Sequence, residues 1–381
     1  MGVERSIAFV AGEASGDMLA APVIAEVMRR APDMHCIGVG GDRMIAAGFE
    51  AWNHVRELSV RGYVEVLRHL PRLFLLRRVL CKRVLDLKPQ VFVGVDAPDF
   101  NLGLEEQLRN EGVRTVHFVS PSVWAWRSER LPQIARAVDR MLLVFPFEQK
   151  IYDDAGIPAA YVGHPLATIV PMVPDAAAAR ARLGLKGEGA WIAVLPGSRA
   201  AEVRYIGPVF VAAMAHLAAE MPAIQFVLAA ADRSLRTAID RIIARHPALS
   251  AKVHVIDGRS HDCIEASDVV LVASGTATLE AALFKRPMVI SYKMPALSAA
   301  IMRRKGTIPY VGLPNILAGK FIVPELLQDA ATPSALARAV LDWLHDAPRR
   351  EATVALFTDM HRALKRDTAR LVADAIFEVA Q

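Results

Sequence analysis

The stretch Asp268-Val269-Val270-Leu271-Val272-Ala273-Ser274-Gly275-Thr276-Ala277-Thr278-Leu279-Glu280 carries the clearest local signal in the chain. Its apolar, β-branched run is long enough for one buried strand. It breaks at Ser-Gly-Thr, and a helical pattern through Thr278, Leu279, Ala282 and Leu283 begins at once. The first N–H groups of such a helix have no intrahelical partner and suit a phosphate, while Gly275 lets an anion approach the main chain. Ser274, Gly275 and Thr276 are therefore candidate contacts for a phosphorylated ligand. Glu280, about one turn into the helix, has two readings. It offsets the positive helix end, worth about 0.3–1 kcal/mol, or it accepts hydrogen bonds from a ribose diol.

The same alternation of short apolar runs and helical patterns extends along the chain, which argues for parallel sheets covered by helices. In the first half the runs start at Ile7, Cys36, Val91, Thr115 and Met141; in the second they start at Trp191, Gln225, Val253, Val269 and Met288. Between the halves, Gly163 to Pro174 contains Pro165, Pro171 and Pro174, which oppose both helix and central strand and mark a linker. The expected organisation is a doubly wound domain over 1–164, a linker over 165–174, a second doubly wound domain over 175–331 and a helical segment over 332–381. In such sheets ligands gather at the carboxyl ends of the strands, so the chemistry is expected in a cleft that both domains face.

Bulk properties agree. A chain of 381 residues exceeds the single-core limit of about 250–300. Hydrophobic residues at 53% supply two cores, and a net charge of +5 with a pI near 9.2 favours anionic partners. Cys36, Cys81 and Cys263 lie far apart and match no metal spacing, as expected of buried thiols in a reducing compartment. No apolar run reaches the roughly 18–20 residues of a membrane span, and no signal-peptide pattern opens the sequence. A cytoplasmic protein is expected.

The strand-to-helix turns carry the remaining candidates. Ala11-Gly12-Glu13-Ala14-Ser15-Gly16-Asp17 follows the first run with two glycines but lacks the dinucleotide fingerprint, as does Gly38-Val39-Gly40-Gly41-Asp42-Arg43; a plain turn fits both. Gly94-Val95-Asp96-Ala97-Pro98-Asp99-Phe100 ends an apolar strand with two acids. Asp99 reads as the cap of the helix after Pro98, and Asp96, at a strand's carboxyl end, as a general base. No third acid or histidine accompanies them, so a metal pair is disfavoured. Trp124 and Trp126 follow another strand, where indoles could stack on a sugar or fill a core. In Leu195-Pro196-Gly197-Ser198-Arg199-Ala200-Ala201-Glu202-Val203, Arg199 could grip a diphosphate or simply lie on the surface.

The segment from Arg61 to Leu85 is basic and apolar: Arg61, Arg68, Arg72, Arg77, Arg78, Lys82 and Arg83 stand against one acid, Glu65. On a helix starting near Pro71, Leu73, Leu76, Leu80 and Val84 form a core stripe. Phe74, Leu75 and Val79 fall outside it, beside Arg78 and Lys82. Apolar groups among cations suit a lipid headgroup boundary, with Val64, Val66 and Leu67 extending that region. An ordinary amphipathic helix buried on both sides is the alternative. Nucleic acid is not expected, because no nucleic-acid module accompanies the patch.

Residues 11–17, Asp96-Ala97-Pro98-Asp99-Phe100-Asn101, Ser120-Pro121-Ser122-Val123-Trp124-Ala125-Trp126-Arg127, Gly163-His164-Pro165, residues 195–203, residues 274–280 and Leu313-Pro314-Asn315-Ile316-Leu317-Ala318-Gly319 together resemble the lipid-A-disaccharide synthases, bacterial glycosyltransferases of the GT-B architecture. The resemblance implies a donor, UDP-2,3-diacylglucosamine, and an acceptor, 2,3-diacylglucosamine 1-phosphate. It implies a β-1,6 linkage made with inversion at the inner face of the cytoplasmic membrane, release of UDP, and no cofactor. Asp96 falls on the family's essential aspartate, Glu13 and Ser15 on residues near the reacting groups, and Arg199 near the diphosphate. Gly12, Glu202, Ser274, Gly275, Thr276, Glu280 and Asn315 complete the implied UDP-sugar site. Homodimers with exchanged C-terminal segments occur in the family and fit the helical tail. The residues by themselves also admit another GT-B enzyme, such as the peptidoglycan N-acetylglucosamine transferase or a UDP-sugar epimerase. A non-catalytic nucleotide-sugar-binding module would keep residues 274–280 but has no use for Asp96.

Overall fold

The computed structural model describes residues 5–57, 63–125, 128–295, 299 and 308–381, without the side chains of residues 14, 57 and 63–73. The chain forms two compact units, Met1–Pro165 with Leu364–Gln381, and Leu166–Ala363.

The first unit is built on β1 (Ser6–Ala11), β2 (His35–Gly40), β3 (Glu50–His54), β4 (Val91–Val95), β5 (Thr115–Phe118), β6 (Arg140–Leu143) and β7 (Ala159–Tyr161). These pair in the order β3-β2-β1-β4-β5-β6-β7, all parallel. The second unit holds β8 (Trp191–Leu195), β9 (Gln225–Ala230), β10 (Val253–Asp257), β11 (Val269–Ala273), β12 (Met288–Tyr292) and β13 (Glu325–Leu327). Their order is β10-β9-β8-β11-β12-β13, again parallel. Both orders reverse direction once, between β1 and β4 and between β8 and β11. Open α/β sheets bind ligands beyond the strand ends at such a reversal.

The strands the hydrophobic pattern misses, β3, β7 and β13, are all sheet edges. Each is half-buried rather than buried on both faces, so no continuous apolar run is required there.

The helices that bear on the site are α1 (Ala14–Arg30), α2 (Tyr63–Leu87), α3 (Pro98–Asn110), α4 (Ala200–Glu220), α5 (Ser260–Ala266), α6 (Thr276–Leu283), α7 (Leu313–Ala318), α8 (Pro333–His345), α9 (Ala347–Leu364) and α10 (Thr368–Ala380). The helical stretch after Thr332 does not stay with one body: α8 lies in the second unit, and α10 packs in the first against α1, β4, β5 and β6. Arg30 donates to Asp374 at 2.6 Å and Arg140 to Glu378 at 2.6 Å, fastening α10 there.

Helix α2 begins at Tyr63 and not near Pro71. A proline inside a helix removes one backbone bond, yet the helix continues through it, as α1 does through Pro22 and α4 through Pro208. Tertiary packing outweighs the local signal: Leu80 and Val84 are buried in a cluster with Phe92, Leu104 and Leu108, and Leu76 packs against it. Among the described residues no helix is long and apolar enough to cross a membrane.

Candidate active site

In the first unit, Ala11 at the end of β1 pairs with Val95 at the end of β4, so the two motif turns that follow meet at the point of reversal. Asp96 and Ala97 both take left-handed backbone conformations, with φ of 54° and 45°, and Val119 after β5 does likewise at 82°. Non-glycine residues are disfavoured there by about 1–2 kcal/mol each, and such strain collects at functional sites. Gly12 makes the turn possible: a Cβ at position 12 would stand 2.2 Å from the Cβ of Ala97.

Ser15, exposed in the first turn of α1, donates its Oγ proton to Asp96 Oδ2 at 3.2 Å. Glu13 is the extended residue preceding α1, and its exposed side chain makes no capping bond. Asp17 does different work. It is buried, and its carboxylate accepts from the backbone N–H groups of Gly41 at 2.9 Å, Met44 at 3.0 Å and Arg43 at 3.2 Å. The glycine turn at 38–43 is thereby filled from within the protein, since a Cβ on Gly41 would lie 2.6 Å from Asp17 Cγ.

Asp99 does not cap α3 as expected: Ala97 takes the capping position, and Asp99, inside the first turn, pairs with Arg130 instead. Trp124 is anchored as part of a wall: its Nε1 donates to Glu148 at 3.2 Å and its ring meets Phe147 edge-on at 5.4 Å. Trp126 and Arg127 lie outside the described residues. Glu148 is buried beside it, and burial pushes its carboxyl up to about 7. His164, tilted against Phe145 at 5.3 Å, is pushed down to about 4 by burial.

On α2, Phe74 and Leu75 are each 62% exposed and Val79 51%, with Arg78 and Lys82 exposed beside them. Arg77 belongs to the core side: it donates to the Asp99 carbonyl at 2.9 Å and stands over the Phe100 ring at 5.2 Å. Burial lowers its pKa. The side chains of Val64, Val66, Leu67, Leu73, Arg68 and Arg72, and the whole of Arg61, lie outside the described residues.

In the second unit, Leu195 of β8 pairs with Val272 of β11, and the turns after both strands again adjoin. Gly197, with φ 112°, lets Glu202 fold back: a Cβ there would lie 2.4 Å from Glu202 Oε2. Glu202 accepts from the Ser198 N–H at 2.9 Å and the Arg199 N–H at 3.2 Å, which caps α4. Its other oxygen takes the Arg199 guanidinium at 3.1 Å. The Arg199 side chain is 78% exposed and can swing to an anion. Glu202, implied as a ligand contact, is a buried brace whose oxygens are already occupied.

The Ser274–Thr278 turn is open to solvent: a Cβ on Gly275 would meet nothing within 4 Å, and Gly275 and Thr276 are exposed. Behind it, Ser274 Oγ donates to the Val311 carbonyl at 3.0 Å and Thr278 Oγ1 accepts from the Leu313 N–H at 3.2 Å. Asn315 is fully buried and does not present its amide to a ligand. Its Nδ2 donates to the Val323 carbonyl at 2.9 Å and Glu325 Oε1 at 2.8 Å, and its Oδ1 accepts from the Ile322 and Val323 N–H groups at 2.8 and 3.0 Å. Glu325 in turn accepts from the N–H groups of Val311 and Gly312, both at 2.9 Å. Asn315 thus holds the loop that backs the turn.

Glu280 lies 3.6 Å from His261 Nε2 on α5, and its carboxylate is the main cause that raises the His261 pKa. No sequence motif singles out His261. Among the described residues no group of three His, Cys, Asp or Glu side chains could hold a metal ion.

A family model described as lipid-A-disaccharide synthetase matches residues 7–377. The lipid-A-disaccharide synthase of Paraburkholderia xenovorans is 52% identical over 376 residues, covering 98% of this chain and 96% of that protein. The fold is shared more widely. The glycotransferase of kitacinnamycin superimposes with a TM-score of 0.65 at 15% identity, covering 98% of each chain. The UDP-GlcNAc 2-epimerase of Neisseria meningitidis gives 0.65 at 11% identity, covering 98% of this chain and 100% of that one. The architecture is therefore GT-B. With the matching residues spanning nearly its whole length, the chain belongs to the lipid-A-disaccharide synthase family.

Proposed function

We propose that this glycosyltransferase of lipid A biosynthesis joins UDP-2,3-diacylglucosamine to 2,3-diacylglucosamine 1-phosphate through a β-1,6 bond, with inversion, releasing UDP. Asp96, at the reversal between β1 and β4 with Ser15 on its Oδ2, is the observation that carries the reading. As the acceptor 6-oxygen forms its bond to the donor's anomeric carbon, the Asp96 carboxylate takes the hydroxyl proton, and the bond to the UDP oxygen breaks with its electron pair on the diphosphate. Arg199 and the N–H groups at the start of α6 stabilise that charge. Glu280 holds the ribose, and Glu13 stands beside the acceptor hydroxyl. Residues 1–164 serve the acceptor and residues 175–331 the nucleotide.

Product mass spectrometry after mixing the protein with both lipids tests the reaction, and Asp96→Asn tests the base. Turnover should fall about 10²–10⁴-fold while UDP affinity stays nearly unchanged. Near-normal turnover would remove Asp96 from the chemistry.

The exposed Phe74, Leu75 and Val79 beside Arg78 and Lys82 support docking of the first unit on an anionic lipid surface, the inner face of the cytoplasmic membrane. Buried acyl methylenes hold the substrates in a bilayer by about 0.8 kcal/mol each, so the enzyme must come to them. A homodimer with exchanged C-terminal segments would carry α10, here seated on its own chain's first unit, onto that of a second copy.

A further inference from the structure

Behind Asp96 the first unit holds polar side chains that the reaction as described does not use. Asn101, Glu105 and His117 are fully buried, so none of them reaches a substrate. Asn101 Nδ2 donates to the main-chain oxygens of Asp96 at 2.8 Å and Val10 at 3.1 Å, with that of Val95 at 3.4 Å. One amide therefore ties the end of β1 to the left-handed turn after β4. Backbone in that conformation persists outside glycine only where its surroundings over-determine it.

Glu105, one helical turn further along α3, bonds His117 Nδ1 on β5 through both oxygens, at 2.8 and 3.0 Å. Gly94 makes room for the assembly: a Cβ there would lie 2.0 Å from Glu105 Oε1 and 3.1 Å from Asn101 Cβ. The bare backbone lets α3 press both residues against β4 directly below Asp96. The amide's buried Oδ1 has no hydrogen-bond partner among the described residues, so what holds the side chain here is the grip of its Nδ2 on the turn.

We propose that Asn101, backed by the Glu105–His117 pair, is a positioning residue for the transfer: by gripping the Asp96 carbonyl it fixes the direction of the Asp96 carboxylate. The inference rests on Asp96 being the base.

A double-variant cycle on the full chain tests it. Asn101→Ala should lower kcat about 10–100-fold, the effect of displacing a reacting group by about 1 Å, while KM for both lipids and the Kd for UDP stay within about twofold. In the Asp96→Asn background the same change should lower turnover no further, because the clamp then has no base to aim. Losses that multiply in the double variant, or a normal kcat in Asn101→Ala, overturn the positioning role. Normal turnover in Asp96→Asn alone overturns the base assignment and this inference with it. Should Asn101→Ala fail to fold, His117 carries the test. His117→Asn keeps a hydrogen-bonding group where Nδ1 stands and should retain kcat within about threefold, whereas His117→Ala should lose about tenfold or more. Equal kcat in the two overturns the proposal.

Discussion

Glu148 turns the burial of one carboxyl into a measurable pH dependence. It lies just beyond the carboxyl end of β6, 1% exposed, and accepts from Trp124 Nε1 at 3.2 Å and the Phe145 N–H at 3.1 Å. Burial outweighs those bonds and lifts its pKa from the ordinary 4.5 to about 7. The folded chain thus holds this proton more tightly than the unfolded chain does. Stability from Glu148 is complete below pH 4.5, declines as pH rises, and is lost above about pH 7. At about 1.4 kcal/mol per pH unit, the loss amounts to about 3 kcal/mol. Glu148→Gln abolishes the titration. The amide offers one acceptor in place of two, which costs about 1–3 kcal/mol at every pH. Because all other titrating groups are common to both proteins, the difference in their urea unfolding free energies isolates Glu148. It should shift in favour of the variant by about 3 kcal/mol between pH 4.5 and 8. A difference flat to within about 1 kcal/mol over that range would refute the buried-acid argument.

Three further outcomes separate the roles assigned to the two units. Arg199→Ala should weaken UDP about tenfold or more by calorimetry and leave uridine nearly unchanged, since only the former carries a diphosphate; Glu280→Gln should weaken both ligands, and equal losses in the arginine variant would take it out of the diphosphate site. Replacing Phe74, Leu75 and Val79 by serine should reduce sedimentation with anionic vesicles even at high salt, whereas neutralising Arg78 and Lys82 should reduce it mainly at low salt; unchanged binding in the serine variant places docking elsewhere. Gly12→Ala puts a Cβ 2.2 Å from that of Ala97, so it should cost about 1–3 kcal/mol of stability and about 10²-fold in turnover while sparing UDP affinity, and a normal kcat would show that the Asp96 turn tolerates displacement.

The parts of the fold legible in the sequence are those whose physics is one-dimensional. Central strands such as β4 and β11 are buried on both faces and must be apolar throughout, so they appear as runs. Strands β3, β7 and β13 touch a neighbour on one side only and leave no comparable trace. The start of α2 was equally hidden: Pro71 marks a helix start by local rules, and the buried row of Leu76, Leu80 and Val84 that carries the helix is a tertiary fact. Within that row the division of α2 was visible, because a 3.6-residue period separates Leu80 from Val79 whatever surrounds them. His261 had no such signature, since its meeting with Glu280 depends on α5 and α6 being neighbours.

Motif residues at the strand ends divide further into those that face outward and those that hold the turns, a division that side-chain chemistry alone does not disclose. Glu202 and Asn315 have the polarity of ligand contacts, yet both spend their polar atoms inside the protein: Glu202 fixes the N–H groups of Ser198 and Arg199, and Asn315 with Glu325 fixes the loop behind Ser274 and Thr278. Asp17 and Asn101 do the same for the turns around Gly41 and Asp96. The groups left facing outward, Glu13, Ser15, Arg199, Gly275 and Thr276, are short, flexible or main-chain, and each springs from a turn that is braced from below. Main-chain donors held this way, at Gly275 and Thr276, would need little reorganisation as charge develops on a bound anion, which is where electrostatic catalysis gains its advantage over water. Conserving the outward residues while loosening a brace should therefore slow the chemical step more than it weakens binding.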